Sequence, residues 1–499
     1  MSKKILAVFL AVAMVFTFAS CTSKNEDEKE TTTSVTNQSE TGKSDKSLRI
    51  SYTKSDSLNP YKAETENNIV IADLVFDSLV KLDESFSPVL QIASSYEFTA
   101  KDKLVVNFPV GIKFSDGSEL TSTDIVSSFN LAKNSVHYAN TLLGIKSANA
   151  QSQGTVVFQL EYQNPKAVNL LTFPIVQNAS ADTDLPIGSG KYAFHKKSNN
   201  EIQLVQNENK PDFSPYIKVV DLVNIASAES IANGISIDNI DYAYFSLDSS
   251  ESKKIKSQIK AVNINNLVFI GFNTSTGNIM SLPDIRNAVS LAINRDAISK
   301  SAYHGLAYPA SSIFNPTCDL ATVSNIFSKE NDETGAKQAI IKSGYDISKA
   351  TVRLLVNSGN VEKSAMATIV KSALESVGFK VKIYNVPYAD YIEALSKGYY
   401  DIYIGETKLA DDMNLFPFFA KDGAVNYGVD INSTCVQAYS NYLNGGEIGT
   451  FVMEFTKTVP FVPVVYRKGV IGYSKSIHAD MQGIYKNYFS NIEEWYFEK

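Results

Sequence analysis

Apolar positions along the chain follow two rhythms. At 48–53, 103–108 and 155–160 they fit short strands, and Ile71, Leu74, Val75, Ser78 and Leu79 take a helical spacing. Ile125, Val126, Phe129 and Ala132 repeat at i, i+1, i+4 and i+7, one apolar face of a helix. Thr121 stands where a capping side chain is needed, and Asp124 puts an acid in the first turn. Ser115-Asp116-Gly117-Ser118 before it reads as a turn, with Gly117 free to take positive φ. Farther on, 267–273 is an apolar strand and Pro283 suits a first helical turn. Ile285, Ala288, Val289, Ala292 and Ile293 share one face of that helix. Residues 351–356, 361–377, 380–386, 388–397 and 401–404 then predict strand, helix, strand, helix, strand. Val361, Ala365, Met366, Ile369, Val370, Ala373, Leu374 and Val377 stripe the first of these helices, and Gly378 can end it. Such alternation predicts a parallel sheet with helices packed on it, an α/β fold. Another helix is expected at 447–458.

The first 47 residues break this pattern. Lys3-Lys4 precede an apolar run, 5–18, too short to span a bilayer well but built like an export signal. The run ends Phe18-Ala19-Ser20-Cys21, and two small residues before a cysteine resemble the lipobox of bacterial lipoproteins. Residues 1–20 are therefore expected to be a lipoprotein signal peptide and Cys21 the lipidated mature N-terminus. An ordinary secretory signal is the alternative. Residues 22–47 are polar and charged, with Val35 their one aliphatic side chain, so they cannot bury enough to fold. The stretch 21–47 is expected to be a flexible tether spanning roughly 30 Å.

Bulk properties narrow the picture. A chain of 499 residues exceeds one ordinary core, so two or three domains are expected. A net charge of −7 argues against nucleic acid as a partner. Cys21, Cys318 and Cys435 cannot make a disulfide scaffold; the last two either pair or stay as buried thiols. His137, His195, His304 and His478 lack metal-ligand spacing, and there is no Cys-x-x-Cys. Ser250 and Lys253 form a Ser-x-x-Lys without an accompanying Lys-Thr-Gly. Gly188-Ser189-Gly190-Lys191-Tyr192 lacks the first glycine of a phosphate loop, because position 185 is Leu, and lacks a hydroxyl after the lysine. Asp411 and Asp412 are neighbours, which point apart in regular structure and make a poor acid/base dyad. No catalytic residue, metal or cofactor is expected.

Several runs share the wording of one family. Gly111-Ile-Lys-Phe-Ser-Asp-Gly-Ser-Glu-Leu-Thr-Ser-Thr-Asp-Ile-Val-Ser-Ser128 resembles G-V-K-F-S-D-G-x-P-L-T-A-x-D-V-x-x-S. That run belongs to the extracellular solute-binding proteins (family 5) of peptide and nickel ABC importers. Ile285-Arg-Asn-Ala-Val-Ser-Leu-Ala-Ile-Asn-Arg-Asp-Ala-Ile298 resembles the family's V-R-x-A-L-x-x-A-I-D-R-x-x-I. Gly188–Tyr192 is similar to its G-T-G-P-Y turn, and 460–466 to its late A-P-x-I-P-L strand. The resemblance covers residues 48 to 475 in the family's order.

It implies a two-lobed periplasmic-binding-protein-like fold of type II with an extra subdomain in the first lobe. The first lobe would be 48–265, the second 266–461, and 462–499 a C-terminal return to the first. Crossings between lobes are expected near 265–272 and 458–464. The implied function is that of a lipid-anchored extracytoplasmic receptor, a monomer without enzymatic activity. It would capture peptides or a similar small solute in the cleft and deliver them to the permease and ATPase subunits. Alternatives are an exported hydrolase or sensory receptor on the same fold, or a binder of nickel chelate or oligosaccharide.

The resemblance places ligand contacts at Glu64-Thr65-Glu66 on one side and Gly405-Glu406-Thr407-Lys408-Leu409 on the other. Peptide binders of the family carry Trp after that glycine and an Asp three residues further that pairs with the ligand's α-ammonium. Here those positions are Glu406 and Leu409. A shift of two residues gives the Asp role to Asp411; Glu406 or Glu64 can also supply the negative charge, and Lys408 can meet a carboxylate.

Overall fold

A computed structural model describes residues 43–246 and 255–499. The expected signal peptide 1–20, Cys21, most of the tether and the Ser250/Lys253 pair lie outside the described residues. Within the expected tether, Lys43–Ser44 pairs with Phe497 and Glu498 as a short strand. The Lys43 ammonium sits 3.3 Å from the centre of the Tyr216 ring, and the Ser47 hydroxyl donates to Asp221. These contacts tie the polar segment to the folded part.

An 11-stranded mixed sheet runs through the molecule, and two long strands, Gln258–Phe272 and Phe461–Tyr473, form its middle. On one side the order runs outward through Tyr242–Phe245, Leu48–Tyr52, Val219–Asn224, Ile202–Gln206 and Tyr192–Lys196. On the other it runs through Ile402–Lys408, Thr351–Asn357 and Lys380–Val386. The long strands pair antiparallel along both halves, but their register shifts between Asn263 and Leu267, opposite Lys468 and Tyr466. A second shift follows between Val268 and Phe269; one apolar cluster lies within the second half, and the larger one runs from the first half into it. Residues 461–466 stay with the second half, where Val462, Val464 and Val465 join its apolar cluster. The two halves are the lobes of a periplasmic-binding-protein-like fold.

The second lobe follows its pattern. Thr351–Asn357 pairs parallel with Lys380–Val386 and, at its middle, with Ile402–Lys408, and the helices Val361–Ser376 and Tyr388–Lys397 make the crossovers. Met366, Ala367, Val370 and Leu374 are buried, but Val361 and Ala365 are exposed. The first turn of that helix overhangs a hollow instead of the core. The arginines of the 285–298 run are structural. Arg286 donates to the carbonyls of Met280, Ser281, Thr458 and Val459. Arg295 donates to the carbonyls of Pro463, Ser290 and Ser328 at 2.9–3.2 Å and stacks on Phe327. Between them they fix the start of the long strand Phe461–Tyr473.

The extra subdomain is a four-stranded antiparallel sheet, Ser95–Ala100, Lys103–Asn107, Thr155–Leu160 and Ile145–Ser152, covered by the helix Ser122–Lys133. Thr121 and Asp124 form the capping box, Gly117 takes φ +86°, and Ile125, Phe129 and Ala132 are fully buried. Asp124 also accepts the Asn178 N–H at 2.8 Å, and Ser115 N–H donates to Gly188 O. The long family run therefore fastens the subdomain to its neighbours. Gly188 and Gly190 are required by contact: a Cβ on Gly188 would lie 2.0 Å from the Val75 carbonyl oxygen. Lys191 is committed to the carbonyls of Phe489 and Ser490 and to Glu493. Cys318 and Cys435 are both free and buried.

Candidate functional site

Three hollows meet at Lys408. The first, of about 350 Å3, lies between the helix Glu66–Val75, residues 137–138 and 172–174, the C-terminal segment 485–488 and the strand residues Ile264 and Asn266. The second, about 460 Å3, shares His137, Lys408 and Lys486 with it and runs along residues 407–424. The widest, about 850 Å3, shares Asn266 and Lys408 and reaches residues 359–365, Glu406 and Arg467. All three are volumes in the small-molecule range of about 300–1,000 Å3. They occupy the cleft where the sheet changes register.

Sequence explains why each wall faces the cleft. The helix Glu66–Val75 buries Val70, Ile71, Leu74 and Val75 in the first lobe, which leaves Glu66 at its open end. The strand Ile402–Lys408 is fully buried at Ile402, Tyr403, Ile404 and Gly405 and emerges at Glu406, Thr407 and Lys408. Its antiparallel partner is Gln258–Phe272. Its parallel pairing with Thr351–Asn357 stops at Leu355 and Tyr403, so among the described residues no strand covers the outer edge of 405–408.

The expected contact residues divide into committed and open groups. Asp56 accepts the backbone N–H groups of Glu64 and Thr65 and the Thr65 hydroxyl, so that main chain is already used. Glu406 lies 2.7 Å from Lys363 and 3.3 Å from Arg467 and accepts from Asn266. Burial alone would raise its pKa, but Lys363 and Arg467 outweigh that and hold it below the usual range. Leu409 is buried, its N–H donating to Asn265 O. Asp411 is buried and pairs with Lys486 at 2.6 Å, with the Thr172 hydroxyl at 3.2 Å. Asp412 points the other way, to Asn164 and Asn414, and burial pushes its pKa up to about 6.

Glu66 and Lys408 are different. The Glu66 carboxylate accepts the Ser246 N–H at 3.0 Å, and burial raises its pKa. Lys408 has no hydrogen bond or ion pair among the described residues; the Tyr485 ring centre lies 4.9 Å from its ammonium. Water reaches Lys408 in the open cleft, yet the surrounding walls push its pKa down.

The first hollow also has walls that motif reading did not find: Tyr138, Thr172, Tyr244, Tyr485, Lys486 and Tyr488. The last three lie on the C-terminal segment, where tyrosine spacing was the one available signal. Asp73 pairs with Lys81 at the rim of this hollow. No group of three or more His, Cys, Asp or Glu is placed to hold a metal among the described residues. No helix among them is long and apolar enough to cross a membrane.

Comparison with known proteins agrees with this architecture. The chain is 25% identical to the oligopeptide-binding protein AppA of Bacillus subtilis (strain 168), over 66% of this chain and 67% of that one. It is 24% identical to the nickel-binding protein NikA of Staphylococcus aureus (strain NCTC 8325), over 80% and 82%. In fold it resembles an ABC transporter substrate-binding protein from Sinorhizobium meliloti, with a TM-score of 0.74 and 18% identity, covering 91% of this chain and all of that one. The model "Bacterial extracellular solute-binding proteins, family 5 Middle" matches residues 87–426, more than half of the sequence, and the chain belongs to that family.

Proposed function

We propose that this chain is the solute receptor of an ABC importer, capturing peptides in the inter-lobe cleft and delivering them to permease and ATPase subunits. The observation that carries the peptide reading is the uncovered strand edge at 405–408, which opens onto the hollows around Lys408. An extended peptide can add to such an edge by main-chain hydrogen bonds, which are blind to side-chain identity. Gly405, Glu406, Thr407, Lys408, Leu409 and Asp411 would form this wall, and Glu64, Thr65 and Glu66 the opposite one. The names of the Bacillus and Staphylococcus relatives favour a peptide or nickel. His137 lines the cleft and speaks for the second, but its ring nitrogen already lies 2.6 Å from Ala63 O.

Native mass spectrometry of protein purified from its source would weigh any retained ligand. A peptide mass, with slowed amide exchange at 405–408 on rebinding, is the expected result; a nickel adduct or a sugar mass would remove the peptide reading. The hinge belongs at the register shift, 263–267 and 466–468, and the lobes should close on the ligand. A smaller radius of gyration in solution scattering would accompany that closure, and an unchanged curve with ligand bound would exclude it. The receptor is proposed to be monomeric and held outside the membrane by a lipid on Cys21. Cys21→Ala should release it into the soluble fraction, and an unchanged membrane fraction would argue for another anchor.

A further inference from the structure

Among the described residues, pairing off the charges around the first hollow leaves two carboxylates, the exposed Glu64 and the part-buried Glu66, and one cation, Lys408. Asp73 is paired with Lys81, and Asp411 with Lys486. Glu406, on the next wall, is held by Lys363 and Arg467. Of the two carboxylates Glu66 is the one withdrawn from water, and among the described residues it meets only neutral donors of Ser246, while Lys408 has no hydrogen bond or ion pair. The two stand on opposite lobes, at the start of the helix Glu66–Val75 and at the end of the strand Ile402–Lys408. Both line the same cavity of about 350 Å3. They form no ion pair, but each feels the other's field. Charges of opposite sign that do not touch are both stabilised by a ligand that brings the two counter-charges.

We propose that Glu66 and Lys408 are a two-ended charge clamp that selects short zwitterionic ligands, Glu66 taking the ammonium and Lys408 the carboxylate. This rests on the peptide-receptor reading and makes it specific. Tyr485, flanked by Lys408, would form part of the floor between the two ends. Length follows from the space: a cavity of about 350 Å3 lies at the small end of the usual range and suits two or three residues.

The test uses the mature full-length chain in calorimetry at neutral pH. The probes are an equimolar tripeptide pool, the same pool N-acetylated, the same pool C-amidated, and a pentapeptide pool. The parent should bind the free tripeptides about 30-fold or more tighter than either blocked pool. Glu66→Gln should erase the preference for a free amino end and leave the carboxyl-end preference; Lys408→Met should do the reverse. Thermal melts check that both variants fold. The clamp is overturned if the parent binds free and blocked pools alike, if neither variant changes the preference, or if each variant weakens all pools equally. Pentapeptides bound as tightly as tripeptides would overturn the length limit. If the parent binds no peptide pool, the peptide reading fails separately. Free amino acids against their N-acetyl and amide forms then decide the clamp: end-selective losses in the two variants uphold it, and no zwitterion bound overturns it.

Discussion

Arg286 and Arg295 in the second lobe, and Glu66 and Lys408 across the cleft, are all charged groups hemmed in by protein. The arginines are saturated: their donors meet backbone carbonyls on three sides, and Arg295 also stacks on Phe327. Among the described residues, the cleft pair finds one hydrogen-bonding partner, Ser246, which donates to Glu66. Both sites pay a desolvation cost, but only the first recovers it within the fold. A charge satisfied internally tends to be architecture, and a charge held without a partner marks a place where something else is meant to arrive.

The largest effect should come from breaking the saturated side. Arg295→Met keeps the length of the apolar stem and removes every donor, leaving the carbonyls of Pro463, Ser290 and Ser328 without their partner. An unmet buried acceptor costs about 1–3 kcal/mol. The loss should therefore exceed about 3 kcal/mol in urea unfolding, and a change under about 1 kcal/mol would show that the carbonyls find water instead.

Asp412 lies between the two cases, since it is buried and its side-chain partners are neutral amides. Its folded-state pKa of about 6 stands above that of a carboxyl in an unfolded chain, about 3.9. The folded chain holds the proton more tightly, so this contribution to stability is complete below the unfolded value and is lost as pH rises through about 6. Relative to Asp412→Asn, the parent should lose about 2–3 kcal/mol between pH 4 and pH 7. Parallel stability curves for the two proteins across that range would refute it. Asp411→Asn removes the ionic partner of Lys486, whose side chain is 19% exposed, so the cost is smaller, about 2 kcal/mol. Adding Lys486→Met should restore part of it, and strict additivity in that cycle would mean the pair is not coupled.

The same division explains what sequence could reveal. The runs 111–128 and 285–298 are legible because a capping box, a tight turn and carbonyl-binding arginines each need particular side chains at fixed local spacing. The strand–helix alternation from 351 to 408 is legible because one face of each element is buried. The stripe fails at Val361 and Ala365, where the helix leaves the core for the cleft. The cleft itself is assembled from residues more than four hundred positions apart, as when Lys81 of the first lobe meets the C-terminal segment at Lys486. No local pattern announces that Asp411 will be occupied by Lys486 or that Lys408 will be left over. The family resemblance names Glu406, Lys408 and Asp411 in one loop, and only the fold separates the paired carboxylates from the open cation.

The smallest expected change is on the open side, and it is the sharpest check of the contrast. Lys408→Met deletes a charge, just as Arg295→Met does, with a side chain of similar apolar length. If Lys408 contributed to the fold through a partner, its removal would cost stability. It has no hydrogen bond or ion pair among the described residues, its walls disfavour the charged form, and its contact with Tyr485 is one that Met sulfur can replace. The ligand-free variant should therefore match the parent within about 0.5 kcal/mol, or exceed it slightly, as when a functional charge is held at some cost to the fold. Urea unfolding of both proteins without ligand measures this. A loss above about 1 kcal/mol would place Lys408 with the arginines, as part of the architecture, and the contrast between saturated and waiting charges would fall.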